Sequence, residues 1–143
     1  MRWLAALVLL CASGVVAAQE FELRRHRNDC SLDPVELMFE LSSAIETGDV
    51  NRLSALYDWN GMGDRAGRAV MDRLEAIAGR TLVDVVPVYP PDPLDAGLPP
   101  WEIPLFDRPP TGLRVEQVVP GSASAVSTTF SMHRRLGCWW VSL

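Results

Sequence analysis

Residues Ala125 to Leu143 read AVSTTFSMHRRLGCWWVSL, and the architecture of the chain is decided there. Val126, Thr128, Phe130 and Met132 alternate with Ser127, Thr129 and Ser131, so an extended chain places its apolar side chains on one side. After a break at Gly137, Trp139, Val141 and Leu143 repeat the pattern, which predicts an antiparallel hairpin with one buried face. Trp139 is expected over a helical layer, and Trp140 on the opposite face with Cys138.

Two further strands are expected upstream. Leu113 to Val119 has strand character and ends in the turn dipeptide Pro120-Gly121. Thr81 to Tyr89 is β-branched, with Leu82, Val86 and Val88 as its apolar side chains. Pro87 cannot donate to a ladder, which predicts an edge strand or a bulge. Between these strands lie eight prolines in Pro90 to Pro110, so neither a helix nor a central strand runs far through that interval. It is expected to be a passive excursion with Trp101 and Phe106 against the body; the functional alternative is a segment that covers or presents a binding surface.

The helical layer comes first in the chain. Asp33-Pro34-Val35-Glu36 is a helix start: Asp33 caps, Pro34 suits the first helical position and Glu36 can return the cap. That helix is expected to reach Thr47 and stop at Gly48, with Val35, Met38, Leu41 or Ser42, and Ile45 on one apolar face widened by Leu37 and Phe39, a breadth that demands a large cover. Asp49 caps a short second helix carrying Leu53, Leu56 and Tyr57. Asp64 is expected to cap a third, Arg65 to Ala78, with Ala66, Val70, Leu74 and Ile77 buried and Asp64, Arg68 and Asp72 solvated. The expected fold is α+β: two to three N-terminal helices packed on one face of a curved antiparallel sheet of about four strands.

The start of the chain addresses the compartment. Met1-Arg2, an apolar run from Trp3 to Ala12, and Val16-Ala17-Ala18 before Gln19 match a cleavable signal peptide over residues 1–18. The run is shorter than the ~20 residues of a spanning helix. Cys11 follows Leu10 rather than a small residue, which fits a lipoprotein signal badly. Residues 19–32 form a polar leader with Arg24, Arg25, His26 and Arg27, and 33–143 a single domain carrying the proline-rich insertion 90–110. The roughly 125 residues after cleavage suffice for one core. The address is therefore periplasmic or secreted, with no transmembrane span after cleavage.

Cys30 and Cys138 are the pair that remains, one near each end of the exported domain, and a disulfide is the expected state. His26, Asp29 and Cys30 are too few and too loosely spaced to make a metal site, and the bridge competes for Cys30. No Cys-x-x-Cys, G-x-S-x-G or Gly-rich phosphate cradle occurs. The formal net charge of -5, with arginine the only strongly basic residue type, argues against nucleic acid and against an anionic membrane surface.

Glu46-Thr47-Gly48-Asp49-Val50-Asn51-Arg52-Leu53-Ser54-Ala55-Leu56-Tyr57 resembles the helix-corner-helix of the NTF2-like superfamily of cone-shaped domains, and Gly137-Cys138-Trp139-Trp140-Val141 resembles its terminal strand. Two departures are visible: Trp59 to Gly63 leaves no room for that family's small strand pair, and the prolines after Tyr89 are foreign to it. The resemblance implies either a domain without chemistry or an isomerase- or lyase-type enzyme with a carboxylate or histidine inside the cone. Asp58, Asp84, Glu116 and His133 are the candidates for such a base, and no motif anchors any of them. The leading expectation is an exported binding or interaction module without a cofactor, for a protein or a small apolar ligand, with Tyr57, Trp59, Trp101 and Trp140 as candidate contact residues.

Overall fold

A computed structural model of the chain describes residues 30–91, 97 and 108–143. The signal segment, the leader through Asp29 and most of the proline-rich interval, including Trp101 and Phe106, lie outside the described residues. Among the described residues seven elements follow one another: α1 (Pro34–Glu46), α2 (Val50–Ala55), α3 (Asp64–Ala78), β1 (Thr81–Val88), β2 (Gly112–Val118), β3 (Ala125–Arg135) and β4 (Cys138–Ser142). The strands form one antiparallel sheet in the order β1-β2-β3-β4, and the sheet does not close into a barrel. The expected α+β arrangement is the observed one.

Local chemistry explains the helix ends. Asp33 accepts the Glu36 N–H at 2.8 Å, and Glu36 reaches back to the Leu32 N–H at 2.6 Å, one residue before the position a capping box uses. Thr47 caps the C-terminus, and Gly48 takes φ +64°, the left-handed corner that glycine enters most readily. Asp49 caps α2 through the Arg52 N–H at 3.0 Å. Arg52 then donates to Glu40 and to Ser43, tying α2 back to α1. The third helix corrects an expectation: it is capped by Gly63 without a side-chain bond, and Asp64 lies inside its first turn. A carboxylate there still faces the positive helix end.

Two apolar faces also differ from their sequence pattern. On α1 the buried residues are Leu37, Leu41, Ala44 and Ile45, while Val35 and Phe39 are 69% and 68% exposed. Leu37 to Ile45 is a complete i, i+4, i+7, i+8 stripe, and on the opposite face of α1 Val35 and Phe39 stand open beside Ser42, Ser43 and Glu46. On α3 only Leu74, Ile77 and Ala78 are buried, Val70 is half-buried and Ala66 is exposed, so packing engages the second half of that helix.

The sheet behaves as the alternation predicts from β2 onward. Leu113 pairs with Phe130 and Val115 with Thr128, and Leu113, Val115, Phe130 and Val141 are wholly buried beneath the helices with Leu37, Leu41, Leu53 and Leu74. Gly112 is needed at its position, since a Cβ there would lie 2.6 Å from the Phe130 carbonyl oxygen. Gln117 donates its amide to the Ile77 carbonyl at 2.7 Å and so fastens the end of α3 to β2. In β1, which is an edge strand as Pro87 requires, a bulge between Leu82 and Asp84 changes the phase. Val85, opposite Val115, therefore packs on the core where the unbulged alternation from Leu82 would put Val86.

The other edge of the sheet is covered. The Trp139 N–H donates to the Ser31 carbonyl at 2.8 Å, the Val141 N–H donates to the Leu56 carbonyl at 3.1 Å, and the Asp58 N–H returns to the Val141 carbonyl at 2.9 Å. Residues 56–58 thereby run parallel to β4 as a one-bridge strand. The β3–β4 hairpin turns on Leu136 and Gly137, both at positive φ (53° and 85°), the two-residue geometry that matches strand twist. Cys30 and Cys138 are joined by a disulfide, so the clasp expected between the two ends of the domain is present.

Candidate functional site

Asp58 and His133, two residues weighed separately as acid-base candidates, meet on the helix-free face of the sheet. His133 and Arg135 alternate with buried Met132 along β3, which points them away from the helices. Asp58 is held beside β4 by its own backbone bond to Val141, and its carboxylate reaches across that strand. It accepts from His133 Nε2 at 2.7 Å, from Arg135 Nε and Nη2 at 3.1 and 2.7 Å, and from the Asn60 N–H at 3.0 Å. The His133 hydrogen bond, then the Arg135 fork, hold the Asp58 carboxyl at about 2 against the opposing effect of desolvation. The Arg135 guanidinium also sits 5.6 Å over the Trp140 ring, and the Trp140 indole N–H donates to the Arg135 carbonyl.

For the Asp58 carboxylate the arrangement is that of a fastener. A general base must release its carboxylate from strong donors and hold a pKa near working pH; Asp58 has four donors and a depressed pKa. Its hydrogen bond with His133 and its ion pair with Arg135 join the 56–58 segment to β3 over the top of β4. The other acidic candidates stay at the surface: Asp84 accepts the Val85 N–H, and Glu116 pairs with Arg114 at 3.0 Å and takes the Ser127 hydroxyl. Of the three residues too loosely spaced to make a metal site, His26 and Asp29 lie outside the described residues and Cys30 is in the disulfide. Among the described residues no group of three ligating side chains could hold a metal ion.

The aromatic candidates take different places. Tyr57 is buried at 2% exposure, and its hydroxyl accepts the Leu143 N–H at 3.2 Å, fixing the end of the chain. Trp59 is half-buried, packs on Tyr57 with ring centroids 4.9 Å apart, and donates its indole N–H to the Ser54 carbonyl. Trp140 is half-buried beneath Arg135, on the face opposite Trp139, as the alternation predicts. Trp101 lies outside the described residues.

A groove of about 340 Å³ opens elsewhere, between the first turns of α1, the end of β1 and the approach to β2. Pro34, Val35 and Met38 form one wall, Pro87 and Tyr89 the other, with Arg108, Pro109 and Pro110 completing it over the buried Leu113. Val35 and Tyr89 are exposed, and Leu32 and Phe39 continue the apolar surface along α1 from the rim. Sequence reading missed this site because α1 was expected to bury Val35. The available signal was the excess of apolar positions on α1 over what one face can hide. A second hollow, of about 460 Å³ and more polar, lies where α1 and α3 end, around Thr47, Gly48, Gly79 and Arg80.

Comparisons with protein-family models, with curated proteins and with solved structures find no match to this chain. Among the described residues, no helix is long and apolar enough to cross a membrane. The disulfide fits an oxidising compartment.

Proposed function

We propose that the chain is an exported binding module, periplasmic or secreted, that takes a small apolar ligand in the groove between α1 and the β1–β2 edge of the sheet. The observation that carries this reading is an apolar, solvent-open groove of about 340 Å³. That volume falls in the ~300–1,000 Å³ range of small-molecule sites. Its walls are preorganised: Pro34, Pro87, Pro109 and Pro110 have fixed φ and lose little freedom when a ligand arrives. The Cys30–Cys138 bridge and the signal-like first eighteen residues support the exported half of the reading.

The alternative, a small NTF2-like isomerase- or lyase-type enzyme working through a buried carboxylate, draws no support from Asp58, whose charge is committed to His133 and Arg135. Kinship with that superfamily rests on the Glu46–Tyr57 and Gly137–Val141 segments and stays a proposal. The binding reading is tested with decanol titrated into the protein, followed by chemical shifts of the Val35, Met38 and Leu113 methyl groups. Localised, saturable shifts are expected, and Val35→Glu, at an exposed position in the first turn of α1 where an acid is tolerated, should abolish them without lowering the melting temperature. Shifts that are absent, or unchanged in Val35→Glu, would remove the groove from consideration.

A further inference from the structure

The groove is apolar except at one place, and that place carries a positive charge. Among the described residues that line the groove, Arg108 is the only ionisable one besides the phenol of Tyr89. It is half-buried, and its Nη1 donates to the Pro91 carbonyl at 3.1 Å, which anchors the side chain. A guanidinium has five N–H donors in a rigid fork, and this bond uses one. Among the described residues no carboxylate lies within ion-pairing distance of Arg108, whereas Arg52, Arg114 and Arg135 are each paired with Glu or Asp. The two acids of the neighbouring helix start are already engaged as caps, Asp33 with the Glu36 N–H and Glu36 with the Leu32 N–H.

A guanidinium with no carboxylate partner among the described residues, at the wall of an apolar groove, sets a positive charge there in a chain whose formal net charge is -5. Its fork matches a carboxylate, and the pairing gains strength where apolar walls exclude water. Building on the groove reading, we infer that the ligand is an apolar carboxylate of the fatty-acid type: its hydrocarbon lies along Val35, Met38 and Pro87, and its head group meets the Arg108 fork. Recognition of a neutral lipid or alcohol would leave those donors unused by the ligand. A short polar acid such as acetate would use the fork and leave the walls wet, so neither part alone suffices.

The test compares decanoate, decanol and acetate on the full exported chain by calorimetry and methyl chemical shifts, with Arg108→Gln and Arg108→Lys beside the native protein. Decanoate is expected to bind about tenfold more tightly than decanol, the equivalent of ~1.4 kcal/mol for one partly exposed charged pair, and acetate not measurably. Arg108→Gln should remove that tenfold preference and leave decanol within about twofold, while Arg108→Lys, which keeps the charge, should retain most of it. Decanol and decanoate binding equally to the native chain, or a preference that survives Arg108→Gln, overturns the carboxylate assignment and leaves the groove reading standing. Failure of both decanoids to bind overturns the groove reading, and the assignment falls with it. Melting curves of each variant confirm that the fold is retained, and acetate binding as tightly as decanoate would show a surface anion contact and likewise overturn the assignment.

Discussion

Replacing Asp58 with asparagine keeps the shape of the side chain and removes the charge that joins residues 56–58 to β3. In the folded protein the Asp58 carboxyl sits at about 2 against an ordinary value of 3.8. A depressed acid stabilises the fold at every pH above its unfolded value and loses that contribution as pH falls through the folded one. The shift corresponds to at most about 2 kcal/mol. The side chains of His133 and Arg135 are 40% and 35% exposed, so water screens both partners and about 1 kcal/mol is the better expectation. For a domain of this size that is about 4 °C in melting temperature. Urea unfolding of both proteins between pH 7 and pH 2 should show a constant gap down to about pH 4 and convergence between about pH 4 and pH 2. A gap that persists undiminished at pH 2, or that is absent at pH 7, would refute the fastener role of Asp58.

Two other changes test the clasp and the hairpin. Intact mass of the exported protein should lack residues 1–18 and two hydrogens, and Cys138→Ala should lower stability as much as the double variant with Cys30; opening a loop of roughly 100 residues costs about 4 kcal/mol in the chain-entropy model. Free thiols after denaturation, or an unchanged melt, would refute the bridge or its contribution. Leu136 is 89% exposed with φ 53°, a conformation asparagine tolerates better than leucine, so Leu136→Asn should raise stability by about 1 kcal/mol in thermal melts, and a fall would argue against the two-residue turn.

Much of the fold was legible before any coordinates. Caps at Asp33 and Asp49, the corner at Gly48, and the alternation from Val126 to Val141 are local signals, since each depends on neighbours within a few residues. The third-helix cap was placed one residue late because Gly63 offers no side-chain signature, and the phase of β1 was lost at a bulge that only its pairing with β2 reveals. The candidate site was less legible. Asp58 and His133 are 75 positions apart, and nothing in either neighbourhood announces the other.

The sequence by itself determined the element order, the apolar face of the closing hairpin, and the pairing of Cys30 with Cys138, because periodicity and turn chemistry act locally and Cys30 and Cys138 are the two cysteines outside the signal-like segment. Only the tertiary structure decided which face of α1 is covered. A helix with more apolar positions than one stripe can bury must leave some of them outside, and the choice depends on where the sheet ends. That choice leaves Val35 and Phe39 in water and opens the groove beside Arg108. The same packing turned Asp58, a candidate base in the linear chain, into the partner of His133 and Arg135.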